Sequence, residues 1–395
     1  MEPDIKEEVG SMTIPKPDTQ TAPIELDKAR QAEEKFSGFE VTQKRLARII
    51  PEVRSGQWIL NSINVLDVQK HSQRQILTCQ LSYTEIPARR QHSISLVCKV
   101  DRKNSRQSEQ AYNVLKCLWE AGFQPPSEFC VPRPFACCPE QGILLQSQAP
   151  GIMWADFLHA GGIRLERASG LVADWLAQLQ ISGVKASLRE AEDYSALTLR
   201  NASRLKALFP GYAGRIEKIE ARLLRDLPAP RLALVPSHGD FHPKNVFLEL
   251  PRVTVIDFDT FGAREAAYDV GYGIALLYIM SFFRTGNFGA GERAGAAFWE
   301  AYRLSGKATW PRVVLQVARA LLDNLHYTFY LMKNSRVELL PLWLDLVEAW
   351  LAASSPVVFE KYTGSFSHLI PFKPSKNLAK VIDLDLDYVK WEREA

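Results

Sequence analysis

The feature that most restricts this chain is a polar stretch set between apolar runs, Ser237-His238-Gly239-Asp240-Phe241-His242-Pro243-Lys244-Asn245, followed by Val255-Ile256-Asp257-Phe258-Asp259. The apolar, strand-like Leu232-Ala233-Leu234-Val235 precedes it. Val246-Phe247-Leu248, a Pro251-Arg252 turn and Val253-Thr254-Val255-Ile256 come after. The pattern predicts strand, loop, hairpin and strand, with acids at the loop and at a strand end.

The spacing carries chemistry. Asn245 lies five residues after Asp240, and Asp257 twelve residues after Asn245. Phosphoryl transfer from a nucleotide uses such a set. One carboxylate orients the attacking hydroxyl and takes its proton, while an amide and a second carboxylate hold Mg²⁺ against the phosphates. Asp240 is therefore the candidate catalytic residue, and Asn245 and Asp257 are the candidate oxygen ligands for that hard ion. The competing reading is a hairpin whose polar residues cap turns; it requires the whole motif to arise by coincidence.

An H-x-D followed by Asn five positions after the Asp matches the kinase catalytic loop. The form His-Gly-Asp-Phe-His-Pro-Lys-Asn, together with Asp257-Phe258-Asp259 and Ala267-Tyr268-Asp269-Val270-Gly271-Tyr272, resembles the aminoglycoside phosphotransferase and choline kinase-like group of small-molecule kinases. The resemblance runs more weakly from about residue 56 to 350. It implies an α+β, protein kinase-like two-lobe fold, with a small antiparallel β-rich N-lobe and a larger, mainly helical C-lobe. The expected organisation is an N-terminal arm over 1–35, a nucleotide-binding N-lobe over 36–147, a C-lobe over 148–365 and a tail over 366–395. The implied activity moves the γ-phosphate of ATP or GTP, with Mg²⁺, to a hydroxyl of a small molecule. Two alternatives stay open: a nucleotide-binding pseudokinase, and a protein kinase. The second is disfavoured because Asp-Phe-Gly is absent and no Ala-Pro-Glu segment follows.

Composition fits an ordinary globular enzyme, with 46% hydrophobic and 24% charged residues. A net charge of +3 makes no electrostatic case for nucleic acid or an anionic membrane as partner. The first residues carry no apolar core resembling a signal peptide. The most apolar segment, 270–283, is too short and too Gly-interrupted to span a bilayer. Six scattered cysteines without C-x-x-C pairs read as reduced, in a cytoplasmic chain. Residues 1–35 are rich in Glu, Asp, Lys, Pro and Thr and read as a solvated arm, with a short helix at 28–36.

In the expected N-lobe, 58–68, 76–83 and 93–100 have strand character, and 105–121 has helical spacing. Lys99 stands inside the apolar run Leu96-Val97-Cys98-Lys99-Val100. Its residue-level reading is an edge lysine facing water or a charged partner; the resemblance makes it the lysine that contacts the α and β phosphates. Glu109, early in the helix, is the candidate acid to pair with Lys99, against the reading of a helix-dipole residue. The turn at 69–74 lacks the glycine that lets backbone amides approach phosphates, a departure from kinase-like folds. The segment 142–151, ending in Pro150-Gly151, reads as strand and hinge. The resemblance places nucleotide-base contacts at Gln146, Ser147 and Gln148, through the backbone.

Beyond residue 152 the chain reads as mainly helical: 167–181, 212–227, 270–283, 291–304, 312–332 and 340–353. In such kinases these helices form the acceptor pocket. Its aromatic candidates are Tyr272, Tyr278, Phe282, Trp299, Tyr302, His326, Tyr327 and Tyr330. Acids available for a cationic acceptor are Glu265, Asp323, Glu338, Asp345 and Glu348, although helical acids are commonly solvated faces. Supporting roles fall to His238, holding the loop, to Lys244, near the transferred group, to Asp259, beside the metal, and to Asp269, fixing the C-lobe. Where relatives carry Leu-His, this chain has Leu179-Gln180. The run Asp383-Leu384-Asp385-Leu386-Asp387 imitates a metal site but reads as an alternating edge or tail.

Overall fold

The computed structural model describes residues 48–70, 74–101, 105–185, 194–228, 233–334 and 336–354. The terminal arm, the turn at 71–73 and the acidic run near residue 385 lie outside them. Backbone contacts divide the chain between Cys98 and Lys99.

The first unit is an antiparallel meander: β1 (Trp58–Lys70), β2 (Arg74–Glu85) and β3 (Arg90–Asp101), the last crossing into the second unit. Leu77, Cys79, Leu81 and Tyr83 of β2 are buried at a period of two, as a half-buried strand requires. Trp58 stacks on Tyr83 with ring centroids 3.8 Å apart.

In the second unit, β3 ends at Asp101, whose amide donates to the Gly142 carbonyl at 2.8 Å. Helix α1 (Ser105–Glu120) follows, burying Ala111, Val114, Leu115 and Leu118 at helical spacing. After β4 (Phe129–Cys130), β5 (Pro134–Cys138) pairs antiparallel with β6 (Ile143–Ser147). Sequence placed the boundary between the lobes after residue 147, whereas backbone contacts divide the chain after residue 98; within the second unit α1 packs on β5 and β6.

The helical part contains β7 (Ile152–Met153), α2 (Trp154–Ala160), α3 (Gly162–Ile181), α4 (Tyr194–Leu208) and α5 (Ala213–Asp226). Next come β8 (Leu234–Ser237), β9 (Val246–Glu249), β10 (Arg252–Val255) and β11 (Gly262–Glu265). Helices α6 (Ala267–Thr285), α7 (Gly289–Ser305), α8 (Trp310–His326) and α9 (Leu339–Leu351) complete it. A small sheet runs β4-β10-β9-β7, and β8 pairs with β11. Helix α6 is apolar nearly all round and is buried between α7 and α8.

Three differences from the sequence reading have physical causes. Helix α4 escaped notice because two of its buried positions are the polar Thr198 and Asn201, which break the apolar period. The helix expected over 312–332 ends as an α-helix at His326 and widens into a π turn, Tyr327–Leu331. Strands β8 and β11 pair across an intervening hairpin, a long-range contact that no local pattern encodes. Among the described residues no helix is long and apolar enough to cross a membrane, and all six cysteines are free.

Candidate active site

The loop after β8 is shaped by one buried acid. Asp269, in the first turn of α6, accepts the Ser237 hydroxyl at 2.8 Å, the His238 amide at 2.7 Å and the Gly239 amide at 2.9 Å. Gly239 then takes φ +85°, and a Cβ there would collide with the Thr260 carbonyl and lie 2.7 Å from Arg264 Nη1. Only glycine suits that backbone and that space. The turn delivers Asp240 to the surface of a cavity.

His238 is fully buried, and burial lowers its pKa against the pull of Asp269 and the Ile256 carbonyl. Nε2 lies 2.9 Å from the Ile256 carbonyl, which can only accept, so Nε2 carries the hydrogen. Nδ1 is thereby left to accept the Asp240 amide at 3.2 Å. The ring is a neutral brace between the two acidic segments. Its face meets Phe258 at 4.7 Å. Trp175 of α3 stacks on Phe241 at 5.9 Å and donates Nε1 to the Cys130 carbonyl at 3.0 Å, anchoring the loop to the core.

Asp240 accepts the Tyr272 hydroxyl on Oδ1 at 3.0 Å, and His242 Nε2 stands 3.5 Å from Oδ2. Burial alone would raise its carboxyl. The bond and charge of His242 and the Tyr272 bond outweigh it and hold the pKa down to about 2. The same relationship acts in reverse on Tyr272: burial, then the Asp240 charge, pushes the phenol well above its ordinary value, so it stays a donor.

Asn245 Nδ2 donates to the Asp240 carbonyl at 3.1 Å, and the Asn245 carbonyl accepts the Ile256 amide at 2.9 Å. The hairpin thus brings Asn245 beside the strand that ends in Asp257. Asp257 has φ +72°, a left-handed conformation rare for a non-glycine residue and characteristic of sites under functional constraint. Its Oδ1 meets Lys99 Nζ at 2.7 Å. With Nδ2 of Asn245 committed to Asp240, an amide oxygen and a partly exposed carboxylate remain. That donor set fits Mg²⁺, which takes one or two protein oxygens and completes its shell from water and phosphates. Among the described residues no cluster of three or more His, Cys, Asp or Glu side chains forms an all-protein metal cage.

Lys99 is buried, with 8% of its surface exposed, and satisfies its charge on Asp257. The expected pairing with Glu109 is not what the structure contains. Glu109 is exposed on α1 and lines a separate cavity of about 420 Å³ with Arg106 and Lys185. The buried ammonium takes the carboxylate at its strand end in preference to an exposed one. Gln146 is buried at the end of β6, and Gln148 is exposed just beyond it. Asp259 is half-buried in the turn Phe258–Thr260, and Lys244 is exposed at the cavity.

That cavity measures about 910 Å³ and is lined by residues of the loop, α4, α6, α8 and the π turn. Of the aromatic candidates, Tyr272, His326 and Tyr327 line it. Tyr278, Phe282, Trp299 and Tyr302 are core residues, and Tyr330 stacks on His326 at 4.9 Å. Of the acidic candidates only Asp323 lines it. Glu265 is bound by Arg312 at 2.8 Å, and Asp345 and Glu348 both bind Arg215 at 2.7 Å. Gln180 is buried in the core, donating to the Ala266 carbonyl at 3.0 Å and accepting the Tyr302 hydroxyl. Sequence reasoning missed Arg200 and Asn201 of α4 and Arg319 of α8, because α4 itself was not recognised and Arg319 carries no motif.

A β-rich N-terminal part followed by helices, with an acid loop and a neighbouring acid strand end, defines a protein kinase-like fold. The chain belongs to the phosphotransferase enzyme family (APH), whose family model matches residues 87–314. Among solved structures, the amicoumacin kinase hAmiN in complex with AMP-PNP, Ca²⁺ and Ami is 12% identical, covering 87% of this chain and 98% of that one with a TM-score of 0.50. A choline/ethanolamine kinase family protein from Mesorhizobium loti is 14% identical over 79% of this chain and 94% of that one, with a TM-score of 0.49. The streptomycin-ATP-APH(2")-IIa ternary complex is 12% identical over 84% of this chain and 99% of that one, with a TM-score of 0.46. A search of curated proteins found no match.

Proposed function

We propose that this chain is an ATP- or GTP-dependent kinase that transfers the γ-phosphoryl group, with Mg²⁺, to an alcohol group of a small molecule held in the cavity beside Asp240. The observation that carries the reading is the position of Asp240. It is an ionised carboxylate, aligned by the Tyr272 hydroxyl at 3.0 Å, on the wall of a 910 Å³ cavity, with Asn245 and Asp257 behind it. The nucleotide-bound relatives, one with AMP-PNP and Ca²⁺, lend support to nucleotide and metal as cosubstrate and cofactor.

On this reading each residue takes a role. Asp240 accepts the hydrogen bond of the acceptor hydroxyl and takes its proton as the oxygen–phosphorus bond forms and the bond to the leaving β-phosphate breaks. A loose transition state asks for positioning more than for a strong base, so a carboxylate with a low pKa suffices. Asn245 and Asp257 would hold the metal, which supplies positive charge to the phosphate oxygens. Lys99 would meet the α and β phosphates, and the base would bond the backbone at Gln146 and Gln148. Lys244 would neutralise the transferred group. His238 and Asp269 keep the loop in place.

Calorimetry with ATP and GTP, with and without Mg²⁺, on the wild type and Asp257→Ala tests the reading. Mg²⁺-dependent binding that is lost in the variant is expected. Nucleotide binding with no turnover of any acceptor would leave a pseudokinase, and no binding by the folded wild type would overturn the assignment.

A further inference from the structure

The cavity beside Asp240 has a charge pattern that phosphoryl transfer alone does not require. Among the described residues, its basic lining is Arg200, Lys244, Arg284 and Arg319, and its acidic lining is Asp240 and Asp323. Asp323 is occupied on both oxygens: Oδ1 accepts Asn201 Nδ2 at 2.8 Å and Oδ2 accepts Arg319 Nη1 at 2.6 Å. Asp240 faces the reacting hydroxyl. Among the described residues, a cationic acceptor therefore meets no carboxylate set aside for it. Arg284 is paired with buried Asp156 at 2.6 Å, whereas Arg200 makes no ion pair among the described residues.

Arg200 and Arg204 stand one turn apart on α4. Arg204 Nη1 approaches His326 Nε2 at 3.4 Å, and its guanidinium lies 4.7 Å over the Tyr330 ring. Burial, then the charge of Arg204 and Arg200, lowers the pKa of His326 against the opposite pull of Asp323. The remaining wall is apolar: Leu276, Ile279, Met280 and Phe283 from α6, with Leu331 and Met332 at the π turn.

We infer that the acceptor is an amphiphilic anion, a hydroxyl-bearing molecule whose carboxylate or phosphate is held by Arg200 while its apolar body lies along α6. The inference rests on the phosphotransferase reading above and narrows its acceptor. A polycation is disfavoured by the same field that attracts the anion. The apolar wall offers burial that a sugar-like polyol cannot use.

The test is calorimetric binding to the full chain, wild type and Arg200→Glu, of hydroxyoctanoate, hydroxyoctyl phosphate, octanediol, choline and kanamycin. Acceptor-dependent ADP release is followed in parallel, with KM and kcat separated. Both anions are expected to bind at least about tenfold more tightly than the neutral diol, and the tighter of the two identifies carboxylate or phosphate. Arg200→Glu is expected to weaken the anions by about tenfold or more, through KM, and to leave the diol unchanged. Arg200→Gln, which keeps a polar side chain on an exposed helix position, should lie between. Tighter binding of choline or kanamycin than of the anions overturns the inference, as does anion affinity indifferent to both Arg200 variants. Anion binding by a protein that binds no nucleotide supports the charge preference while overturning the kinase reading.

Discussion

Lys99 and Asp257 meet at 2.7 Å although 158 residues separate them in the chain. The lysine side chain is 10% exposed and the aspartate 28%. The pair therefore joins β3 to the turn after β10 in a partly dry setting.

Asp257→Asn keeps the shape and removes the charge. Loss of one electrostatic contact to the transferring group is expected to lower turnover by about a hundred- to a thousandfold. The stranded Lys99 ammonium should cost about 1–3 kcal/mol of stability. Steady-state rates and urea unfolding of the same preparation check both. A folded variant with near-normal turnover would remove Asp257 from the chemistry.

Tyr272→Phe deletes a donor to Asp240. The carboxyl pKa, held down to about 2, should rise, because one of the groups favouring the charged form is gone. A rate loss of about tenfold is expected at neutral pH, with the acid limb of the kcat/KM profile moved upward. An unmoved limb would mean that the hydroxyl does not act on Asp240.

The two perturbed groups of the loop set an acid-stability profile. Asp240 has a depressed pKa, so its contribution is complete above its ordinary value of 3.8 and is lost as pH falls through about 2. His238 is also lowered, but as a base: the unfolded chain binds its proton near 6.5 and the folded chain resists it, so stability declines as pH drops below that value. Unfolding free energy measured against pH should therefore begin to fall near 6.5 and fall again below 3.8. In His238→Ala the upper part of that decline should be reduced. The variant should also lose about 2–4 kcal/mol at neutral pH, because the Ile256 carbonyl and the Asp240 amide lose their partner.

Gly239→Ala forces a side chain into a left-handed backbone against the Thr260 carbonyl. A destabilisation of about 1–3 kcal/mol is expected, with turnover falling further than stability because Asp240 is displaced. Proton exchange of the 237–239 amides, all near or bound to Asp269, would report the opened clamp. Unchanged protection together with full activity would contradict it.

Much of this site was legible because its chemistry is local in sequence. Asp240, Asn245 and Asp257 fall within eighteen residues, and the loop–hairpin texture around them could be read from turn residues and alternation. Asp269 was legible as structural, but its three hydrogen bonds to residues 237–239 were not, since they need the β8–β11 pairing to bring α6 alongside. Glu109 was proposed from helical placement, which says nothing of whether Lys99 finds a nearer acid. The cavity was least legible. Part of its charge comes from Arg200 on a helix with a polar buried face and from Arg319, a buried arginine on α8 that no motif marks.

Helix α6 holds the loop after β8 through Asp269, touches Asp240 through Tyr272 and walls the cavity through Leu276, Ile279, Met280 and Phe283. These positions form one stripe along a single rigid rod. On the proposed reading, the distance from Asp240 to the far end of the acceptor would be graduated in helical turns of about 5.4 Å. Substitutions at 276, 280 or 283 would then lengthen or shorten the accepted molecule without disturbing its hydroxyl. A single residue inserted between 269 and 276 would turn the two ends of the stripe about 100° apart. Cavity length and the placement of Asp240 thus share one gauge, which under the proposed function would leave side-chain exchange as the route to a different substrate.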